Sequence, residues 1–305
     1  MQQRLSFRAM GCNMLAILEK DFESAPTALT DVPGWFEDWE QSFSRFRPAS
    51  ELSLLNRTFD QPIHVSDAFW DVFQTAMWAD EFTEGLVTPT VLDAMLEAGY
   101  NQPFESMQKY QINSILQTSL EIPPLSMVIA DHSAQTINLP RGVRLDFGGV
   151  AKGWCAHQAV ERLKEQGPCL VNAGGDIAIS GSQSNGEPWL IGISNPFKEE
   201  SDLEVIHVHR CGIASSGKDR RHWNRNGVFQ HHIIHPQTGS PAETDLLRVT
   251  VIAPTVMEAE AAAKTVFILG SQNGLEWIED HSDLAAVLIL ESGEIIHSQR
   301  MQSYL

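Results

Sequence analysis

Two short apolar runs that end in paired glycines constrain this chain more than any other feature of its sequence. The first run, LDFGGVAKG, covers Leu145–Gly153 and opens into a helical pattern, and the second, LVNAGGDI, covers Leu170–Ile177. Paired glycines before a helix let the backbone approach a phosphate and direct N–H groups at it. Because Asp146 and Lys152 flank the first turn, the pattern favours a charged, polar ligand. The spacing differs from that of the dinucleotide-binding G-x-G-x-x-G motif and of the P-loop.

The strong acidic charge narrows the classes of ligand. The 305 residues include 21 basic and 39 acidic ones, which gives a formal net charge of −18. Such a surface repels nucleic-acid phosphates and anionic lipid headgroups, so we expect neither nucleic acid nor a membrane as partner. An anionic ligand therefore needs a locally positive site. At this length the chain can bury a sizeable core as one domain or as two.

The cysteines and the first residues favour a cytoplasmic location. Cys12, Cys155, Cys169 and Cys211 are widely spaced and form no C-x-x-C pair, a pattern typical of buried thiols in a reducing compartment. The first motif follows the amino terminus so closely that it leaves no room for an apolar signal segment. No apolar run approaches the roughly 18 residues that span a bilayer.

Hydrophobic periodicity predicts segregated strands and helices, the pattern of an α+β fold. We expect a strand at Leu5–Glu19 and, after residue 126, a series of short strands that includes Val143–Phe147. The predicted helices are Pro26–Phe46, Ser66–Phe82, a short helix from Pro89, Val150–Lys164, Thr255–Leu269 and Gln272–Asp280. We expect the aromatic residues that recur at helical spacing in the first helix to be core residues; they are Trp35, Phe36, Trp39 and Phe43.

Further motifs surround the glycine turns in a fixed order. They are FRAMGC (Phe7–Cys12), FSRFRPASELSLLN (Phe43–Asn56), PTVLDAMLEAGY (Pro89–Tyr100), Ser215–Trp223 with His231–Pro241, and Val249–Gly270. With this ordered set the chain resembles the ApbE family, the FAD:protein FMN transferases, over Phe7–Gly270. The resemblance implies an α+β, T-fold-like architecture of mixed sheets with packed helices and with FAD in a cleft between two lobes. It implies a single domain over residues 1–305, or two lobes with a boundary near residues 115–126.

The resemblance also implies a set of FAD contacts. Phe46 matches the aromatic position that stacks on the flavin nucleotide in the family, and stacking requires only a π face. The remaining matched contacts are Met10, the backbone segment Leu86, Val87 and Thr88, then Asp146, Lys152 and the backbone at Ile234.

At the family's metal site the sequence departs from the pattern. The resemblance places a backbone ligand of Mg²⁺ at Gly149, an aspartate ligand at Glu260 and a threonine ligand at Lys264. Glutamate keeps an oxygen ligand on a longer arm, but lysine has no acceptor and cannot bind a cation. One interpretation is an ordinary i,i+4 surface ion pair on a helix. The other is that the Lys264 ammonium stands where the metal would stand.

Other family positions change in the same direction. Thr88, His235, Gln237 and Asp219 stand where the resemblance implies an aspartate, an aspartate, an arginine and a tyrosine, respectively. A site that holds no metal would permit the loss of carboxylates near the ion.

Three histidines lie close together near the end of the motif set. On a single strand His231 and His235 would share a face while His232 points away, so a three-ligand zinc site is geometrically poor. His232 matches the family's catalytic histidine, and a neutral imidazole there could accept the proton of an incoming hydroxyl. A histidine held by backbone partners is the open alternative.

The function implied by the resemblance is that of an FAD:protein FMN transferase, which moves FMN from FAD to a Thr or Ser hydroxyl of an acceptor flavoprotein. The alternative is a catalytically weak or inactive FAD-binding protein, a carrier or assembly factor that has lost its metal site. A third interpretation is a metal-dependent FAD pyrophosphatase.

Overall fold

In the computed structural model, the residues described are 2–19, 27–107, 120–198 and 200–305. Their helices are α1 (Thr27–Phe43), α2 (Glu51–Leu55), α3 (Asp67–Phe82), α4 (Leu92–Glu97), α5 (Phe104–Met107), α6 (Ala151–Leu163) and α7 (Val256–Glu279). Their strands are β1 (Gln2–Ala9), β2 (Cys12–Glu19), β3 (Ile63–His64), β4 (Ile129–Asp131), β5 (Thr136–Asn138), β6 (Cys169–Ala173), β7 (Asp176–Ile179), β8 (Trp189–Ser194), β9 (Asp202–Val208), β10 (Cys211–Gly217), β11 (His222–Arg225), β12 (Val228–His231), β13 (Ile234–His235), β14 (Ser240–Pro241), β15 (Leu246–Ala253), β16 (Ala285–Leu290) and β17 (Ile295–His297). This mixture confirms the predicted class of sheets with packed helices.

The chain divides into two compact units, each built from separate segments. The first unit comprises Met1–Phe36, Lys152–Asp219 and Thr244–Leu305, and the second comprises Glu37–Ala151 and Arg220–Glu243. The lobe boundary predicted near residues 115–126 falls in part on residues 115–119, which lie outside the described residues.

The first unit is organised around one antiparallel sheet of eight strands. Their order is β1-β2-β6-β7-β10-β15-β16-β17. Apolar residues on one face, among them Ile213 of β10 and Ile252 of β15, form a core with residues of β8 and β9. Helix α7 packs against β10 and β15. A Cβ at Gly212 would lie 2.0 Å from the Val256 nitrogen, so glycine is required where α7 meets the sheet.

The single strand predicted at Leu5–Glu19 is wrong, because the segment is a hairpin. Strands β1 and β2 pair antiparallel and are joined by Met10 and Gly11. Both joining residues have positive φ, 49° and 66°, the conformation that two-residue hairpin turns require. The apolar pattern continues across the turn, so periodicity alone hid it.

Helix α7 contains both of the helices predicted at its end of the chain. Thr255 caps it through a reciprocal capping box with Glu258. The helix breaks at Gly270, whose φ of 81° and ψ of 177° are not helical, between the two predicted segments. In the described ranges, no helix is long and apolar enough to cross a membrane.

Aromatic residues form part of the core of the second unit. The ring of Phe147 lies 6.5 Å from that of Phe43 and 5.1 Å from that of Phe69, both edge-on. The prediction of core aromatics in α1 is confirmed for Phe43, and for Phe36 and Trp39 of the same helix, which are buried.

The strand predicted at Val143–Phe147 is wrong, and a side chain explains why. The Asn56 amide bonds both backbone groups of Leu145: its Nδ2 donates to the carbonyl at 2.8 Å, and its Oδ1 accepts from the N–H at 2.7 Å. The Asp146 N–H donates to the Pro89 carbonyl at 2.8 Å. These bonds take the place of a strand partner and hold the segment that precedes α6.

We predict that Asn56→Ala destabilises the protein by about 2–4 kcal/mol, because it leaves two buried backbone groups of Leu145 unsatisfied. Urea unfolding measures the loss. The exposed Asn101 supplies the control, and Asn101→Ala should change stability by less than about 0.5 kcal/mol. Equal effects of the two substitutions would contradict this role of Asn56.

Candidate functional site

The first unit contains a buried cluster of four charged side chains centred on Glu260 of α7. Its Oε1 lies 3.2 Å from the Lys152 Nζ and 3.0 Å from the Lys264 Nζ. Its Oε2 accepts the Gly153 N–H of α6 at 2.9 Å. Lys152 also contacts the Asp176 carboxylate at the start of β7. The cluster therefore joins the first turn of α6 to α7 and to the sheet.

Burial and charge act against each other in this cluster. Burial alone would raise the pKa of Glu260, but Lys152 and Lys264 outweigh it and hold that pKa below its usual value. Burial and the neighbouring Glu260 raise the pKa of Asp176. Burial also lowers the pKa of Lys264, against the attraction of Glu260. The positive charges of two lysines thus nearly balance the negative charges of two carboxylates, and the pKa of each of Glu260, Asp176 and Lys264 depends on its neighbours.

The interpretation of Glu260 and Lys264 as a surface ion pair is wrong. The Glu260 side chain is 1% exposed and that of Lys264 is 15% exposed. The i,i+4 ion pair is present, but the Glu260 carboxylate also contacts Lys152 of α6 and accepts the Gly153 N–H.

The residues present do not fit a divalent cation at Glu260. Both carboxylate oxygens already accept from donors of the chain, and two ammonium groups lie within 3.2 Å of Oε1. Among the described residues, no group of three His, Cys, Asp or Glu side chains is arranged to hold a metal.

In both glycine turns, hydrogen bonds within the chain engage backbone N–H groups. In the first turn, Asp146 Oδ1 accepts from the Gly148 N–H at 2.8 Å, and the Phe147 carbonyl accepts from Val150 and Ala151. The second pair, Gly174 and Gly175, joins β6 to β7 with φ of 70° and 112°. In the second turn the Gly175 N–H donates to the Asn172 Oδ1 at 2.8 Å. Gly149 lies within the first turn.

In the second unit an aromatic cluster brings together residues that are distant in sequence. The Tyr100 ring is stacked on Trp223 at 5.5 Å and contacts Phe46 edge-on at 5.7 Å. The His232 ring lies 6.4 Å from the same tyrosine. The Trp223 indole N–H donates to the Ala98 carbonyl at 2.9 Å. Phe46 and His232 were proposed from separate motifs, and the structure shows that both rings contact Tyr100.

Arg45 connects this aromatic cluster to Asp146. Its guanidinium carbon lies 4.1 Å from the centre of the Phe46 ring and 4.6 Å from that of Tyr100. Its Nε lies 2.9 Å from the Asp146 Oδ2, and both side chains are 8% exposed. One face of Phe46 is therefore in contact with a cation. Asp146 is paired and hydrogen-bonded, as expected for a carboxylate that is buried.

The three histidines do not lie on one strand. After His231 the chain leaves β12, and His235 belongs to β13. His231 accepts the Ile233 N–H at Nδ1 and faces the Ala242 carbonyl with Nε2 at 3.0 Å, so it is a neutral imidazole with both nitrogens engaged. The Nδ1 of His232 lies 3.4 Å from the Arg221 carbonyl. Since a carbonyl only accepts, this contact places the His232 proton on Nδ1 and the lone pair on Nε2.

The remaining predicted contacts are placed as follows. Met10 is in the β1–β2 turn. In the segment Leu86–Thr88, the Val87 N–H donates to Thr83 and the Thr88 hydroxyl lies 3.1 Å from that of Thr90. Ile234 is buried in the apolar cluster that Phe46 packs against.

Sequence reasoning missed four residues of these two clusters: Arg45, Tyr100, Asp176 and Trp223. Tyr100 and Trp223 end two of the motifs already recognised, so a search for aromatics at motif ends would have found them. Asp176 follows the second glycine pair directly, as Asp146 precedes the first. Arg45 carries no such signal, because only the fold brings it to Asp146.

Comparison with known proteins assigns the family. A sequence model described as the ApbE family matches residues 10–288. This chain belongs to the ApbE family.

Relatives and solved structures extend the match over nearly the whole chain. The chain is 29% identical to the FAD:protein FMN transferase of Haemophilus influenzae, over 92% of this chain and 81% of the relative. It is 26% identical to that of Vibrio cholerae, over 96% and 89%. The crystal structure of the ApbE protein of Thermotoga maritima superposes with a TM-score of 0.89 at 23% identity, over 100% and 99% of the two chains. The flavin transferase ApbE of Vibrio cholerae superposes with a TM-score of 0.83 at 25% identity, over the same shares.

We predict that Glu260→Gln destabilises the protein by about 3–5 kcal/mol, because it removes the anion between two partly buried ammonium groups. Thermal unfolding followed by circular dichroism measures the loss. Glu258, two residues away, is the matched control, since a glutamine keeps the capping box and Glu258→Gln should cost less than about 1 kcal/mol. A Glu260→Gln protein as stable as the control would rule out this electrostatic role.

Proposed function

We propose that this protein is an FAD:protein FMN transferase, which moves FMN from FAD to a Thr or Ser hydroxyl of an acceptor flavoprotein. The observation that carries the proposal is that relatives matching over most of the chain are named FAD:protein FMN transferases. The fold of the chain is also shared with a solved flavin transferase, at a TM-score of 0.83.

The reaction requires three things of the chain's own residues. The hydroxyl oxygen of the acceptor attacks the FMN phosphorus of FAD, the P–O–P bond breaks and AMP leaves, so the site must offset phosphate charge, hold the attacking oxygen in line and accept its proton. His232 is the proposed proton acceptor, because its Nδ1 lies 3.4 Å from the Arg221 carbonyl, which in the neutral ring places the lone pair on Nε2. The resemblance implies a Mg²⁺ ion held by Gly149 and Glu260, which would offset the charge of the pyrophosphate. The residues around Glu260 do not fit that ion.

Three of the proposed flavin contacts, Phe46, Asp146 and Ile234, lie in the second unit. The Phe46 ring lies next to the Arg45 guanidinium, and Ile234 belongs to the apolar cluster against which Phe46 packs. The Arg45 side chain also forms an ion pair with Asp146. We propose that the remaining contacts are those matched by the resemblance: Met10, Leu86, Val87, Thr88 and Lys152.

One observation favours a second candidate function, an FAD-binding protein that transfers little or nothing. The resemblance implies metal ligands at Gly149 and Glu260, but the ammonium groups of Lys152 and Lys264 contact the Glu260 carboxylate. A transferase that depends on a metal at this position would be inactive. A transfer assay separates the two functions directly.

We also propose a cytoplasmic location. Burial raises the pKa of the Cys169 thiol to about 11 and that of the Cys211 thiol to about 12. Such protonated, inert thiols suit a reducing compartment.

We predict that the protein, incubated with FAD and a candidate acceptor flavoprotein domain, increases the acceptor's mass by one FMN, as measured by mass spectrometry. His232→Ala should slow this transfer by about 10²- to 10⁴-fold, because it removes the general base. FAD affinity should stay within about two-fold, since the base contacts the incoming hydroxyl rather than the bound nucleotide.

The exposed His64 of the same unit provides the control, and His64→Ala should transfer at the normal rate. Transfer by His232→Ala at the normal rate would refute the role of His232. If the unmodified protein binds FAD and transfers no FMN, the FAD-binding function is correct instead.

We predict that Phe46→Ala weakens FAD binding by about 1–3 kcal/mol, the range measured when an aromatic side chain that stacks on a base is removed. Quenching of flavin fluorescence measures the dissociation constant. Phe229 is a suitable control because it is a 52% exposed phenylalanine on β12 of the same unit. An unchanged dissociation constant for Phe46→Ala would assign Phe46 to the core alone.

A further inference from the structure

The four side chains around Glu260 are layered by charge. The carboxylates of Asp176 and Glu260 are 3% and 1% exposed, whereas Lys152 and Lys264 are 17% and 15% exposed. The two acids are therefore more deeply buried than the two lysines. In this cluster the lysines are more accessible to a ligand than the carboxylates are.

The same acids hold the two ammonium groups in place. Glu260 Oε1 contacts both of them, and its Oε2 is anchored by the Gly153 N–H. Among the residues that the structure describes, the Lys264 Nζ donates to Glu260, at Oε1 3.0 Å away and at the carbonyl oxygen 3.4 Å away. Since an ammonium has three N–H donors, Lys264 can donate to a further oxygen without releasing Glu260.

The pyrophosphate of FAD carries two negative charges, and the two ammonium groups carry charge of the opposite sign. Lysine binds phosphate as a point charge and imposes no coordination geometry. A divalent cation, by contrast, needs oxygen ligands, and the Glu260 oxygens are already engaged with donors of the chain.

We propose that Lys152 and Lys264 bind the pyrophosphate of FAD directly and that this chain needs no divalent cation to do so. The inference rests on the proposed function for the identity of the ligand. In this arrangement Lys264 performs the charge neutralisation that a bound ion would otherwise supply, and Glu260 positions both lysines.

The decisive measurement uses the unmodified protein. Its dissociation constant for FAD is measured by fluorescence quenching in excess EDTA and again in millimolar Mg²⁺, without acceptor. We expect the two values to agree within about two-fold, because no ion bridges the phosphates. Binding that Mg²⁺ strengthens by roughly ten-fold or more would overturn the inference.

Variants locate the contact. Lys264→Met should weaken FAD binding by roughly ten- to hundred-fold, the loss of one charge-assisted hydrogen bond. It should leave the binding of riboflavin, which has no phosphate, within about two-fold. Lys164→Met is the matched control, because Lys164 forms an exposed pair with Glu161 and should bind FAD normally. Lys264→Met with unchanged FAD affinity, or with equal losses for FAD and riboflavin, would overturn the inference.

Two further variants guard against misfolding and test the converse. Lys264→Arg keeps the charge beside Glu260 and should bind FAD without Mg²⁺; a dependence of its FAD binding on Mg²⁺ would count against the inference. Lys264→Thr combined with Glu260→Asp restores an oxygen pair on α7 and should make FAD binding sensitive to EDTA. Indifference of this double variant to EDTA, with FAD still bound tightly, would show that Lys264 does not stand in for an ion.

The inference and the proposed function fail in different ways. FAD binding insensitive to EDTA together with no FMN transfer, by mass spectrometry of the acceptor, would overturn the transferase function only. FMN transfer together with FAD binding that requires Mg²⁺ would overturn the direct lysine contact only.

Discussion

The carboxylate of Glu260 is the group on which the arrangement of the first unit's site depends. It accepts a backbone N–H from α6 and contacts two ammonium groups, while its own backbone belongs to α7. A buried carboxylate with fewer partners would be protonated or would destabilise the fold. The close approach of the two helices has a steric condition as well, because a Cβ at Gly153 would lie 2.7 Å from the Glu260 Oε2. The glycine that ends the LDFGGVAKG motif is therefore explained by this contact.

Local patterns predicted the parts of the fold that depend on local interactions. The helices α3 and α6 begin and end within one or two residues of their predicted bounds, because apolar spacing and capping residues act within a few turns. The segment Val143–Phe147 shows the limit. Its apolar alternation suggests a strand, yet its partner is the side chain of Asn56, 89 residues away. No pattern within the segment distinguishes a strand partner from a distant asparagine.

Some residues of the candidate site could also be predicted from local sequence, whereas their contacts depend on long-range packing. Phe46 and His232 could be proposed from motif positions alone, but their common contact with Tyr100 depends on the packing of three separate chain segments. Arg45 follows the same rule. Between its neighbours in FSRFRP it has the pattern of a solvated charge, and only the fold places it on Phe46 and beside the buried Asp146. Charge pairs of this kind determine which ring faces are open to a ligand, so they matter for recognition although sequence does not reveal them.

Glu260 and Lys264 depart from the metal-ligand pattern that the resemblance implies, and the two departures make physical sense only together. A lysine at position 264 needs an acceptor one helical turn before it, and Glu260 supplies one that also reaches Lys152 and the Gly153 N–H. An aspartate is one methylene shorter and could not be expected to serve all three donors from the same backbone position. Conversely, Glu260 without Lys264 would face Lys152 with Asp176 as competitor, leaving the cluster with two carboxylates and one cation. Glu260 and Lys264 are therefore a unit. A lysine in place of the threonine that the resemblance implies requires the longer acid Glu260, and Glu260 in turn requires Lys264.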